Sequence, residues 1–361
     1  MDRYVDFQAN LFKYIDTLKI RAMRADENIF DDIDFEDDTP FFSPLISSLI
    51  LAGKEKVFLK NIFFYRTGQK STEIMTDQTG AFELFGYGYF HGAPNTNYRL
   101  SKDKDGIKYP ASLTFVPYYY LSGTNIKLRM IGRAYHSDYL GSHSLIDDRI
   151  IPAYISPIEK ALELLQKINP LFFERINILR CEIQLFANST KNSFATIEFF
   201  PCIFINIFEK DANYIYFIEE ISHQAGHLLF YVITSDPETF FKVSMDTLFR
   251  QDEYDKRSIY VAFHGLFTYS TILENLGKLL VLVQYPRERL EIQARIGIYL
   301  KKFTIDMNIF NDLNIFSERG NLLFTQFIST FDFYKKKFTD LTDSYNYEGQ
   351  PYNFDFNIFL K

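Results

Sequence analysis

Two histidines one helical turn apart are the residues of this chain best suited to chemistry. His223 and His227 lie four positions apart in an apolar segment whose pattern predicts a helix over residues 214–234. Residues at this spacing share one helix face, so both imidazoles can bind one metal ion while the helix keeps its own hydrogen bonds. The spacing therefore predicts a metal site. The alternative is a helix whose two histidines bind nothing.

The residue after the first histidine argues against hydrolysis. Zinc peptidases with two histidines at this spacing carry a glutamate there, which takes a proton from the metal-bound water. This chain has Gln224 instead, and an amide cannot act as that base. Iron oxygenase chemistry needs no such base, because the protein supplies ligands and positioning. We therefore predict that Gln224 positions other groups and transfers no proton.

A metal site of this type needs a third ligand. His264 is the best candidate, because it lies in a second apolar segment with a helical pattern, over residues 258–283. Glu219 is the competitor, since it shares the stripe of His223 and would complete a set of two histidines and one carboxylate. We favour a supporting role for Glu219 beside the ligands. The other three histidines lie in turn-rich sequence and are interpreted as surface or loop residues: His91, His136 and His143.

The surrounding elements predict an α+β protein of 361 residues. An amphipathic helix over 1–25 and an acidic block over 31–38 precede short aromatic and β-branched runs. Strands are predicted at 57–65, 81–90, 112–121, 126–131, 173–186 and 195–208. Helices are predicted at 158–168, 214–234, 258–283, 287–303 and 318–337. We expect a β-rich region over 1–150, a mainly helical metal-binding domain over 151–340, and a tail over 341–361.

Composition and charge exclude several classes of protein. A formal net charge of −7 disfavours nucleic-acid binding, which needs clustered basic residues. Cys181 and Cys202 form no Cys-x-x-Cys pair and are expected to be buried and neutral. The N-terminal segment lacks the apolar core of a signal peptide, and no apolar run reaches the roughly 20 residues of a membrane span. We expect a cytoplasmic protein without a membrane partner, and the oligomeric state is left open.

Four blocks of sequence suggest a family. They are Glu219-Glu-x-x-His-Gln-x-x-His227, Ile203-Phe-Ile-Asn206, Arg257-Ser-Ile-Tyr-Val-Ala-Phe-His264 and Phe316-Ser-Glu-Arg-Gly320. Together they resemble the HEXXH-motif proteins of ribosomal-peptide (RiPP) clusters, which are peptide β-hydroxylases that use iron and 2-oxoglutarate. The resemblance covers about residues 150–335. It implies a zincin-like metal-binding domain, Fe(II) and 2-oxoglutarate as cofactors, and a precursor peptide that is hydroxylated at a side-chain β-carbon.

The resemblance also implies a cation for the distal carboxylate of 2-oxoglutarate. Arg257 is the first candidate, because it lies seven residues before His264 and so nearly on the same helix face. Arg295 is the second candidate. The other interpretation of Arg257 is a surface ion pair with Asp252 or Asp255.

Two other functions compete with the hydroxylase. One is a zincin-like metallohydrolase that uses zinc and an unusual base, and Gln224 counts against it. The other is a metal-free protein that binds a precursor peptide without catalysis, and three histidines that converge would count against it.

Overall fold

The chain forms two compact units, each of them discontinuous in sequence. The computed structural model describes residues 7–25, 27–31, 33–51, 61–131, 146–248, 255–311, 314–350 and 354–360. The helical unit comprises Met1–Asn10, Lys160–Arg175 and Glu209–Lys361, and the sheet unit comprises Leu11–Glu159 and Ile176–Phe208. The predicted domains are continuous and meet at residue 150, whereas in the structure the strands of residues 182–206 belong with the N-terminal part. The described strands end at residue 206 and helices dominate from Tyr214 onward, which confirms the α+β class.

Three sheets make up the strand content of the sheet unit. The first is antiparallel, in the order β1 (Ser71–Met75), β4 (Asn97–Asp103), β5 (Gly106–Lys108). The second is also antiparallel, in the order β2 (Ala81–Leu84), β3 (Gly88–His91), β6 (Thr114–Pro117). The third has the order β10 (Phe194–Ala195), β11 (Cys202–Asn206), β9 (Glu182–Phe186), β8 (Lys127–Leu128), β7 (Tyr119–Tyr120). Its central strand β9 is parallel to both neighbours, and it is fully buried even at the polar residues Glu182 and Gln184.

The N-terminal segments of the sheet unit match their predictions. Helix α1 (Phe7–Ala25) buries Leu11, Ile15 and Leu18 and is amphipathic as expected. The acidic block after it forms ion pairs, and its Asp38 lies 2.6 Å from the ammonium of Lys19. A short helix, α2 (Pro44–Leu51), follows. Cys181 and Cys202 are buried free thiols, and burial raises the pKa of both, so the prediction of neutral cysteines is confirmed.

Two predicted strands are wrong where the structure describes them. The segment 173–186 begins inside a helix, α4 (Pro170–Ile178), which follows α3 (Ile155–Ile168) directly, and only Glu182–Phe186 is a strand. Proline at the first position of α4 favours a helix start. The aromatic residues of α4 are buried, and the periodicity of such a short apolar run does not distinguish a helix from a strand. The described part of segment 57–65 contains helical turns, with a 3-10 helix at Phe64–Arg66.

The helical unit is built on four long helices that match the predicted segments. They are α5 (Tyr214–Ile233), α6 (Ile259–Leu282), α7 (Pro286–Asn311) and α8 (Glu318–Lys337), followed by the short α9 (Thr339–Ser344) and α10 (Phe356–Phe359). Side chains cap three of them: Asn213 accepts two backbone N–H bonds at the start of α5, and Ser258 and Ser317 each accept one at the starts of α6 and α8. Helix α6 packs against both α5 and α7.

Candidate metal centre and the polar cluster around it

The three predicted metal ligands come together in the helical unit. His223 and His227 lie on one face of α5, with their ring centroids 5.0 Å apart. His264 of α6 faces them, and its ring centroid lies 4.3 Å from that of His227. Gly226 faces Thr268 of α6, where a methyl group would lie at van der Waals distance from the Cγ2 atom of Thr268. The prediction that these histidines lie on two packed helices is confirmed.

The imidazoles are neutral and incompletely hydrogen-bonded. Burial lowers the pKa of His227 to about 4 and also lowers the pKa values of His223 and His264. The Nδ1 atom of His227 and the Nε2 atom of His264 are 2.9 Å apart and share a hydrogen bond. Among the residues that the structure describes, the buried Nδ1 atom of His223 has no hydrogen-bond partner. Neutral imidazole is the form that binds a metal ion.

The hydrogen bonds of the Glu219 carboxylate are made with Arg295 and Tyr299 of α7 rather than with the histidines. One carboxylate oxygen of Glu219 accepts a hydrogen bond from Nη1 of Arg295, and the other accepts one from the hydroxyl of Tyr299 at 2.7 Å. Arg295 also donates two hydrogen bonds to Glu291, one turn earlier on α7. Burial alone would lower the pKa of the Arg295 guanidinium, but the two carboxylates outweigh it and raise that pKa. Glu219 thus supports the site by fixing α5 to α7.

Arg257 is held by two carboxylates of the chain itself. Its guanidinium donates to both oxygens of Asp306 at 2.9 and 2.8 Å and to both oxygens of Asp255 at 3.0 and 2.9 Å. The hydrogen bonds that Arg257 donates to Asp306 raise the pKa of its guanidinium above the usual value. The pairing with Asp255 agrees with the alternative interpretation, while Asp252 lies outside the described residues. Both candidate arginines, Arg257 and Arg295, therefore already bind carboxylates of the chain itself.

Gln224 connects the histidine face of α5 to a further carboxylate. Its Nε2 atom donates to Glu220 at 3.3 Å, whereas its buried Oε1 atom has no hydrogen-bond partner in the described part of the chain. Glu220 also interacts electrostatically with Lys302 on α7. The Lys302 ammonium lies 5.0 Å from the centre of the Tyr299 ring, which is 6.5 Å from the ring of His223.

Apart from Arg295, the polar residues of α7 were not predicted from the sequence. Glu291, Arg295, Tyr299, Lys302 and Asp306 recur at helical spacing and form one buried or half-buried stripe. Charged residues at this spacing usually mark the solvent face of a helix. One signal in the sequence could have identified them, because each of these polar residues has an apolar neighbour along the chain. We call the following residues the polar cluster. They are the five α7 residues just named, Asp255 and Arg257, and Glu219, Glu220, His223, Gln224, His227 and His264 of α5 and α6.

Carboxylates outnumber cations in the polar cluster. It contains the acidic residues Glu219, Glu220, Asp255, Glu291 and Asp306 and the basic residues Arg257, Arg295 and Lys302. With neutral imidazoles, the cluster therefore carries a formal excess of two negative charges. Buried charge is costly unless it is compensated, and one divalent cation would balance this excess.

The donor set fits a divalent transition metal, but the rings are not arranged as a coordination shell. Within the described ranges, no three His, Cys, Asp or Glu side chains are placed to hold one ion. The hydrogen bond between His227 and His264 directs two ring nitrogens at each other. These two nitrogens could bind a metal ion only if one of the rings changed its orientation. Neutral imidazoles, the unpartnered His223 nitrogen and the excess negative charge all favour such an ion.

Comparison with known protein families and with curated proteins finds no match for this chain. Of the remaining three histidines, the structure places His91 at the end of β3 in the sheet unit, and His136 and His143 lie outside the described residues. No helix in the described part of the chain is both long and apolar enough to cross a bilayer.

Proposed function

We propose that the chain is an iron- and 2-oxoglutarate-dependent hydroxylase that acts on a side-chain β-carbon of a ribosomally made precursor peptide. The observation that carries this proposal is the convergence of His223, His227 and His264 as neutral imidazoles in an acidic, buried cluster. Such a donor set suits a first-row divalent metal. The family resemblance supplies the reaction class.

The surroundings of the histidines favour oxidation over hydrolysis. The residue next to His223 is the amide Gln224, which carries no titratable proton acceptor. Glu220, the carboxylate nearest to it, is already an acceptor for that amide. A bound iron ion and 2-oxoglutarate would supply the chemistry, in which one oxygen atom of O2 enters the new C–OH bond, the other enters succinate, and CO2 leaves.

The residues of the chain would then hold and orient the reactants. The three histidines would bind Fe(II), and the ion pair of Glu219 with Arg295 would keep α5 and α7 in place behind them. Gln224 would position a neighbour through its unpartnered carbonyl oxygen. Arg257 and Arg295 already bind carboxylates, so neither supports the proposal as an anchor for 2-oxoglutarate without displacement of Asp306, Asp255, Glu219 or Glu291.

Co-expression tests this function. The chain is produced in iron-replete cells with each short peptide encoded beside its gene, and each peptide is mapped by tandem mass spectrometry. We expect a gain of one oxygen atom on a single side chain, which the His264→Ala variant abolishes. Peptide cleavage would favour the metallohydrolase, and unmodified peptides with both proteins, or the absence of any short reading frame for a precursor, would contradict the hydroxylase.

A further inference from the structure

The two most exposed large apolar side chains of the described residues lie at the corner between α6 and α7. Tyr285 is 73% exposed and Val281 is 72% exposed, and Leu282 between them is 40% exposed. Apolar residues that are exposed singly are common on protein surfaces, but a group of them in one place marks an interaction site. We call residues 281–285 the apolar corner.

Hydrogen bonds and burial fix the backbone of the apolar corner. Arg289, in the first turn of α7, donates to the carbonyl oxygens of Leu280 at 3.0 Å and of Val283 at 2.9 Å. Val283 is buried, and Pro286 begins α7 directly after the corner. A surface that is already ordered loses little conformational entropy when a partner binds to it.

A cleft of about 580 Å³ opens beside these side chains. Its apolar walls come from α3, from the start of α5 and from the apolar corner, and they consist of Leu164, Tyr214, Leu282, Val283 and Tyr285. An apolar cavity of about 150 Å³ already holds a benzene ring, so this cleft has room for an aromatic side chain. The same surface therefore presents an exposed tyrosine and a cleft that can receive one.

Two opposite charges border the cleft, Lys160 on α3 and Glu288 on α7. Lys160 is exposed and forms a surface ion pair with Glu163 at 3.4 Å, and such pairs contribute little. The Glu288 carboxylate accepts a hydrogen bond from the hydroxyl of Tyr214. In a pair of copies related by a twofold axis, each residue meets its counterpart's neighbour reciprocally. One cation and one anion can thus pair with each other twice, whereas a partner with charges of one sign would be repelled by one of them.

We propose that the apolar corner and its cleft form the interface of a twofold homodimer. Tyr285 of each copy enters the cleft of the other, and the Lys160 ammonium of each copy faces the Glu288 carboxylate of the other. Aromatic side chains that fill pockets contribute most of the binding free energy at interfaces, and homodimer interfaces are more apolar than the remaining surface. This inference does not depend on the proposed function.

Sedimentation velocity measurements over a wide range of protein concentrations test the role of the tyrosine. We expect the wild-type chain to form dimers and no larger species, and Tyr285→Ser to weaken dimerisation at least about tenfold. Because Tyr285 is exposed, this variant should fold as wild type does. Leu322→Ser changes a leucine of α8 that is 65% exposed, and it should dimerise like wild type. A wild-type chain that stays monomeric would overturn the proposal, and so would oligomers that keep growing with concentration, because a twofold contact closes.

Charge reversal tests which residues meet across the interface. Lys160→Glu and Glu288→Lys should each dimerise more weakly than wild type, because like charges then meet twice. An equimolar mixture of these two variants should form a heterodimer, and the chain that carries both substitutions should dimerise again, since each contact then joins opposite charges. Lys104→Glu, in an exposed turn of the sheet unit, should have no effect. Dimers that persist in both single variants and in Tyr285→Ser, or charge reversals that do not restore each other, would overturn the proposed interface.

Discussion

At the scale of single residues, position 224 is where the chain differs from zinc peptidases that have two histidines at this spacing. Gln224→Glu restores the carboxylate that zinc peptidases have at this position, but we expect no peptide cleavage from the zinc-loaded variant. The new carboxylate would lie beside Glu220, within hydrogen-bond distance of it, so the two would compete for a proton and repel each other. Peptide hydrolysis also needs groups that stabilise a developing oxyanion, and one substitution does not create them. Cleavage of unstructured casein measures the outcome.

Gln224→Met serves as the matched control for this substitution, since it keeps the side-chain length without the charge. Efficient cleavage by Gln224→Glu but not by Gln224→Met would support the metallohydrolase.

The histidines also make stability depend on pH in the metal-free protein. The pKa of His227 is about 4 in the folded state against 6.5 for an ordinary histidine, and the pKa values of His223 and His264 are lowered as well. Between these pH values the unfolded chain binds more protons, so stability must fall as pH drops from about 6.5 to about 4. Urea denaturation of chelator-treated protein at several pH values measures this slope. An equal slope in His227→Gln would contradict the assignment.

At the scale of the helices, a buried ion pair ties α5 to α7. Arg295→Met leaves Glu219 and Glu291 buried without their common partner, and we expect a loss of about 3–5 kcal/mol in the free energy of unfolding. Glu219→Gln should cost less, about 1.5–3 kcal/mol, because Arg295 keeps Glu291. The exposed Arg287 on the same helix provides the control, since Arg287→Met should change stability by less than about 0.5 kcal/mol. Denaturant titration would contradict this account if all three variants behaved alike.

The sequence predicts the positions of the helices better than it predicts which side chains contact each other. Apolar periodicity places α5, α6 and α8 close to their observed bounds, whereas α7 continues to Asn311, eight residues past its predicted end. The spacing of His223 and His227 indicates the site because one helix face suffices to bring them together. The prediction that His264 lies beside these histidines is also correct, and its segment is a buried helix as predicted. The partners of Arg257 and Arg295 depend on how α7 packs, which no local pattern encodes. Lys302 was not identified from the sequence, because charged residues at helical spacing are typical of the solvent-exposed face of a helix.

At the scale of the whole molecule, metal binding should stabilise the helical unit selectively. An ion that binds only the folded state adds about 2.7 kcal/mol at a concentration one hundred times its dissociation constant. Its predicted ligands all lie in α5 and α6, within the helical unit. Hydrogen exchange should slow in these helices on addition of Zn(II), while the locally exchanging amides of β1–β6 keep their rates. Protection confined to the sheet unit would contradict the placement of the site.

The central claim is that His223, His227 and His264 bind one metal ion, and equilibrium titration of the metal-free chain with Zn(II), or with Fe(II) in the absence of oxygen, tests it most directly. We predict one ion per chain and at least tenfold weaker binding in each of His223→Ala, His227→Ala and His264→Ala, because each variant removes one of three ligands. His91→Ala, in the sheet unit, should bind like wild type. A chain that binds no ion, or single variants that all bind as tightly as wild type, would contradict the metal centre.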